Sequence, residues 1–166
     1  MTVMRALRHL FATHWGTRRC FNVETQRRIK TSIDGVEAHH AGEIRFAIET
    51  ALDLPELISG VTSRQRALQV FGHLGVWDTA ANNGVLIYVL RADRSVEIVA
   101  DRGIATRVLQ SEWAAVCRAM EDHFRAGRYA EGSEVGVRGV GRLLAKHFPN
   151  EGGDRSNELP NQPVLL

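Results

Sequence analysis

Asn82-Asn83-Gly84-Val85-Leu86-Ile87-Tyr88-Val89-Leu90 is followed by Arg91-Ala92-Asp93-Arg94, and then by Val96-Glu97-Ile98-Val99-Ala100-Asp101-Arg102-Gly103. Two β-rich runs around a short polar tip predict a hairpin, with strands near 84–91 and 95–101. A hairpin returns the chain to the edge it left. Asp101, at the end of the second strand, should therefore lie beside Asn83 and Asp78, which stand 18 and 23 positions upstream and precede the first strand. Polar groups remote in sequence are brought to one rim of a sheet.

Working outward, Glu43-Ile44-Arg45-Phe46-Ala47-Ile48-Glu49 alternates. It reads as a half-buried strand near 43–50 whose polar face is wet or lightly covered. Residues 51–62 hold Pro55 and Gly60 and read as a loop with room for a turn of helix, and Ser63 reads as the N-cap of a helix from Arg64 to Leu74. A strand, a crossover helix and a second strand suit a parallel pair. With helices at both ends of the chain, the order α-α-β-α-β-β-α-α predicts an α/β fold, a mixed sheet of three to four strands packed with helices. If the first two strands are parallel, their N-terminal ends share a rim that the C-terminal end of the third also reaches. The candidate binding rim is then Glu43, Asp78, Asn82, Asn83 and Asp101, with His39 and His40 nearby. Oxygen groups held this way suit a hard cation, Ca²⁺ or Mg²⁺, with Asp78 and Asp101 as its metal ligands. The competing reading is that Asp and Asn populate these positions because turns and strand starts favour them.

The N-terminal region is basic and amphipathic. Val3, Met4, Leu7, Leu10 and Phe11 recur at helical spacing, and Arg5, Arg8, Arg18, Arg19, Arg27, Arg28 and Lys30 precede Asp34 against Glu24 alone. Such a helix either docks on the domain or faces a partner or an anionic membrane surface. His9 and His14 read as solvent-facing. Further helices are expected over 24–40, 110–126 and 131–147, the last despite Gly136, Gly139 and Gly141, which would permit close packing on the sheet. From Pro149 the composition turns to Asn, Gly, Asp and Pro, the mark of a loose tail or one ordered by contact. The expected organisation is a basic helix over 1–19, a domain over 20–148 and a tail over 149–166.

A chain of 166 residues with 44% hydrophobic and 24% charged residues suits one soluble domain. A net charge of +2 is too small to argue for nucleic acid. Cys20 and Cys117 lack metal-ligand spacing and read as free thiols. No apolar run approaches the roughly 18 residues of a membrane span, and Arg5 and Arg8 interrupt the start, so no secretory signal and a cytoplasmic location are expected. The chain has no GxSxG or HExxH sequence. Its glycine-rich stretch 132–139 lacks both a preceding strand and the GK[ST] ending of a phosphate loop. The sequence therefore names no catalytic residue and leaves open whether the protein is an enzyme.

Asn83-Gly84-Val85-Leu86-Ile87-Tyr88-Val89 followed by Val96 to Ile104, Trp113, and Phe124-Arg125-Ala126-Gly127-Arg128-Tyr129 resembles the TPM domain, in its short bacterial form without a membrane anchor. The resemblance covers roughly residues 25–148. It implies a mixed α/β sandwich and an acidic cleft mapping onto Asp78, Asn82, Asn83 and Asp101. Members of this family are linked to acid phosphatase activity, calcium binding and photosystem repair. The family often carries an acidic residue before the Asn-Gly step; Asn82 stands there in this chain and removes one charge. The basic N-terminal helix and the missing catalytic signature favour a non-enzymatic accessory or interaction module of a membrane-associated assembly, and the resemblance implies a LemA-type membrane protein or another TPM-domain protein as its partner. The alternative is a weak metal-dependent phosphatase using the acidic rim.

Overall fold

The computed structural model describes residues 3–150 and 157–166. Strands β1 (Glu43–Glu49), β2 (Gly84–Leu90), β3 (Ser95–Ala100) and β4 (Val164–Leu165) form one sheet in the order β3-β2-β1-β4. β1 runs parallel to β2, with Glu43 opposite Gly84 and Glu49 opposite Leu90. β3 returns antiparallel, with Val85 opposite Ala100. The expected parallel pair and hairpin are both present. The fourth strand comes from the tail: β4 lies parallel to β1 on its other edge, Ala47 opposite Val164. That contact orders the end of the chain.

The helices among the described residues are α1 (Val3–Phe11), α2 (His14–Cys20), α3 (Val23–Glu37), α4 (Leu54–Ile58), α5 (Ser63–His73), α6 (Arg102–Ala105), α7 (Gln110–Arg125) and α8 (Tyr129–His147). The alternation of β1 sorts its side chains onto two cores. Ile44, Phe46 and Ile48, with Ile87 and Ile98, pack against Ile29, Ile33, Met120 and Val140 of α3, α7 and α8. Ala47, Leu86, Tyr88 and Val99 pack on the other face against Leu57, Ala67 and Val70 of α4 and α5, with Leu159 of the tail. The result is an α/β/α sandwich. Every residue of β2 is buried, as the near-continuous apolar run of a strand covered on both faces requires.

Four local expectations are corrected. The polar face of β1 is not wet: Glu43 and Glu49 are 3% and 6% exposed, because α5 and the tail cover that side of the sheet. The turn of helix allowed for within residues 51–62 is α4, started by Asp53 and Pro55, whereas α5 is capped by Thr62 rather than the expected Ser63. The Thr62 hydroxyl accepts the Gln65 N–H, and the Gln65 side chain accepts the Thr62 N–H, a reciprocal pair that satisfies two otherwise unpaired donors. The glycines of α8 serve helix packing, not sheet packing. A Cβ on Gly136 would lie 2.1 Å from the Met120 sulfur, and one on Gly141 would lie 2.7 Å from Val36 Cβ, so α8 seats directly on α7 and α3. Finally, His9 is buried; its partners are given below. Among the described residues no helix is long and apolar enough to cross a membrane.

Candidate functional site

Three backbone hydrogen bonds stitch the rim together at the start of the sheet. The Glu43 N–H donates to Asn83 O at 3.0 Å, the Asp101 N–H to Gly84 O at 2.9 Å, and the Gly103 N–H to Asn82 O at 3.1 Å. The glycines are required by close approach: a Cβ on Gly84 would lie 2.0 Å from Val76 O, and one on Gly103 would lie 2.5 Å from Asn82 O. Asn82 takes φ 51, a left-handed conformation that Asn tolerates better than most side chains. The Asn-Gly step is thus a backbone contact as well as a turn.

The structure brings Glu43, Asn83 and Asp101 together at this rim and buries all three. Asn82 and Asp78 remain exposed. Asp101 caps α6, its Oδ1 accepting the Arg102 N–H at 2.6 Å. Asn83 donates its backbone N–H to the Thr79 hydroxyl oxygen at 3.0 Å and its side-chain amide to Ala41 O. One acceptor is left over on each side chain: among the described residues, Asp101 Oδ2 and Asn83 Oδ1 are buried without a hydrogen-bond partner. The Glu43 carboxylate faces the tail and accepts the Leu159 N–H at 3.4 Å. Asp78 donates its backbone N–H to Gly75 O within its own turn, and no hydrogen bond joins its side chain to Asp101. Among the described residues, no group of three or more His, Cys, Asp or Glu side chains is placed to hold a metal ion. His40 sits behind the rim, fully buried, its Nδ1 accepting the Gly42 N–H at 3.2 Å; His39 is exposed and turns its ring to Gly35 O.

The opposite end of the sheet carries polar groups that the sequence did not single out. Arg66 of α5 forks onto Glu49 at 2.7 Å and reaches Glu56 at 2.8 Å, while the Tyr88 hydroxyl donates to Glu49. Burial, reinforced by that carboxylate, drives the Tyr88 phenol far above its ordinary range. Every member of this network is satisfied. On the adjoining hairpin tip, Asp93 receives Arg5 at 2.7 Å and the His9 Nε2–H at 2.9 Å, while His9 Nδ1 accepts the Leu52 N–H at 2.9 Å. Arg5 also donates to Val61 O. Burial would raise the Asp93 carboxyl, but hydrogen bonds from Arg5 and His9 hold it below the usual carboxylate range. The signal available in sequence was the Arg5–His9 spacing of four, which puts both on the helix face opposite the apolar stripe. The two cysteines are free, and burial pushes the Cys117 thiol up to about 12, the opposite of an activated nucleophile.

Comparison with known proteins agrees with this architecture. The structure is similar to the NMR structure of the BA42 protein from the psychrophilic bacterium Bizionia argentinensis, at 31% identity and a TM-score of 0.75, over 87% of this chain and 94% of that one. No match was found among curated proteins. The family model of the TPM domain matches residues 18–143, a span that runs from α2 into α8 and includes the hairpin, the rim and most of both cores. By that match, this chain belongs to the TPM domain family.

Proposed function

We propose that the protein is a non-enzymatic interaction module of a membrane-associated assembly, with the rim at the start of the sheet as its cation-responsive contact point. The observation that carries this reading is the pair of buried oxygens without donors, Asp101 Oδ2 and Asn83 Oδ1. Buried acceptors are ordinarily paired. One carboxylate and one amide oxygen, with water completing the shell, suit a hard cation such as Ca²⁺ or Mg²⁺. Exposed Asp78 and Asn82 border the same rim and are within the turn a partner would meet. A partner of LemA type, or a second TPM-domain protein, is the class the family resemblance implies.

The test is a titration of the purified protein with Ca²⁺ and Mg²⁺, followed by thermal shift and by the amide NMR signals of residues 82–84 and 101–103. The cation should raise the melting temperature and move those signals. Asp101→Asn keeps an oxygen for the Arg102 N–H, so stability should change by less than about 0.5 kcal/mol, while the cation response disappears. A loss above about 2 kcal/mol would make Asp101 a structural acceptor alone and end the cation reading.

The same oxygen, Asp101 Oδ2, favours one second reading, a weak metal-dependent phosphatase. A cation held there would polarise a phosphoryl oxygen, and Asp78 would be the nearby general base. Mg²⁺-dependent hydrolysis of p-nitrophenyl phosphate that both Asp101→Asn and Asp78→Asn abolish supports this second reading. Cation binding without turnover supports the first.

A further inference from the structure

We propose that the face built by α1 and α2 docks on an anionic lipid bilayer, the apolar stripe of α1 entering the interface while arginines at its base take lipid phosphates. This deepens the membrane association proposed above by naming the surface and the lipid chemistry. It uses none of the rim residues.

The first observation is the orientation of α1. At 100° per residue, Val3, Met4, Leu7, Leu10 and Phe11 fall on one arc, and Arg5 and His9 fall opposite. An amphipathic helix on a globular domain normally turns its apolar arc inward. Here the polar arc is inward, fixed by the Arg5 and His9 hydrogen bonds to Asp93 and by the Leu52 N–H on His9. The apolar arc is left in solvent: Val3, Met4, Leu10 and Phe11 are 71–75% exposed, and Trp15, on the next helix α2, is 72% exposed. The anchoring is specific enough to hold this arrangement, so the exposed stripe is a presented surface rather than a loose end.

The second observation is charge. No carboxylate occurs in the first 23 residues, while Arg8, Arg18 and Arg19 are exposed on these two helices. A cavity of about 480 Å³ opens at the base of α1, lined by Arg8, Phe11, Arg91, Arg94, Phe124 and Tyr129 among others. Its one carboxylate, Glu121, already accepts the Val96 N–H and pairs with Arg125. Arg8, Arg91 and Arg94 have no ion pair among the described residues, and the Arg91 Nε–H is buried without an acceptor. Its guanidinium lies against Gly16, where a Cβ would stand 3.0 Å from Nη2. A buried guanidinium N–H without an acceptor is costly, and an anionic oxygen entering the cavity would satisfy it. Trp15, with Arg19 5.7 Å from its ring, has the pairing of aromatic ring and cation found at the membrane–water boundary.

The combination selects the occupant. An apolar stripe flanked by unpaired arginines matches acyl chains below phosphate headgroups. A second copy of this chain would bring the same arginines face to face, which like-charge repulsion opposes.

The experiment uses the full chain and vesicles of pure phosphatidylcholine or of phosphatidylcholine with 30% phosphatidylglycerol, read by co-sedimentation. Binding is expected on the anionic vesicles only, weakening as salt rises. Leu10→Glu with Phe11→Glu should cut partitioning at least tenfold. Arg91→Gln with Arg94→Gln should remove the preference for anionic lipid. Trp15 fluorescence should be quenched by brominated lipid, with Trp15→Phe as the control. The melting temperature of the Leu10→Glu/Phe11→Glu variant and its response to Ca²⁺ or Mg²⁺ should match the parent, which separates failure at this face from failure at the rim. Equal binding to both vesicle types, anionic binding that survives Leu10→Glu/Phe11→Glu, or a dimer that this variant dissociates without vesicle binding would each overturn the proposal.

Discussion

The two ends of β2 are opposite in what they lack. Before Gly84, Asn83 and Asp101 bury oxygens with no donor; after Leu90, Arg91 buries a guanidinium nitrogen with no acceptor. Beside them, the Glu49–Arg66–Tyr88 network shows that this chain can bury charge with every partner in place. At these three side chains the shortfalls are of opposite sign. A protein that satisfies a buried carboxylate with a forked arginine on one face has left acceptors open at one rim and donors open at the other end. On the two proposals above, ligands of opposite charge would complete each.

The largest expected effect comes from breaking the satisfied network. Arg66→Ala leaves Glu49 buried beside Tyr88 with no cation, and should cost about 3–5 kcal/mol in urea denaturation. A cost below about 1 kcal/mol would show the carboxylate to be hydrated, and the contrast with the two open ends would lose its reference point.

Gly84→Ala strikes the rigid end. A Cβ 2.0 Å from Val76 O can be relieved only by moving backbone, so a loss of about 3 kcal/mol is expected. If the variant is as stable as the parent, the rim is soft and its oxygens can rearrange to find partners.

Asp93→Asn loosens the other end. It removes the charge that orients α1 and should cost about 2 kcal/mol, with faster amide exchange confined to α1 and the core unchanged. Acid should act the same way. The native Asp93 carboxyl is held below its unfolded value, so it stabilises the docked helix above about pH 4 and that contribution is lost as pH falls through the lower native value. Release of α1 at neutral pH by Asp93→Asn, and of the parent only in acid, is the expected pair of results.

Asp101→Asn has the smallest effect on stability and the largest on cation response. It sharpens the comparison because it changes the charge of one open end while leaving the cap on α6.

The hairpin, the parallel pairing of β1 with β2 and the convergence of Glu43, Asn83 and Asp101 were legible in sequence, because strand period and chain reversal are local signals. The placement of Asp78 outside the buried set was not, since a turn residue gives no sign of which way its side chain points. His9 looked solvent-facing because its burial depends on Asp93 and Leu52, which lie 84 and 43 positions away. The covered polar face of β1 depends likewise on a tail that pairs by two residues. The outward stripe of α1 was visible as a stripe, but its direction is decided by the polar face, and apolar period alone carries no direction.

The glycine seam of α8 has a bearing on how the molecule comes apart. Gly132, Gly136, Gly139 and Gly141 lie within one helix, and each lowers its intrinsic helicity by about 1 kcal/mol relative to Ala. Detached from its neighbours, such a segment would not hold a helical shape in water. It is a helix on condition of its contacts with Met120 and Val116 on α7 and Val36 on α3. The three-helix layer therefore has no stable two-helix remnant, and thermal or mechanical stress should open it as one cooperative unit.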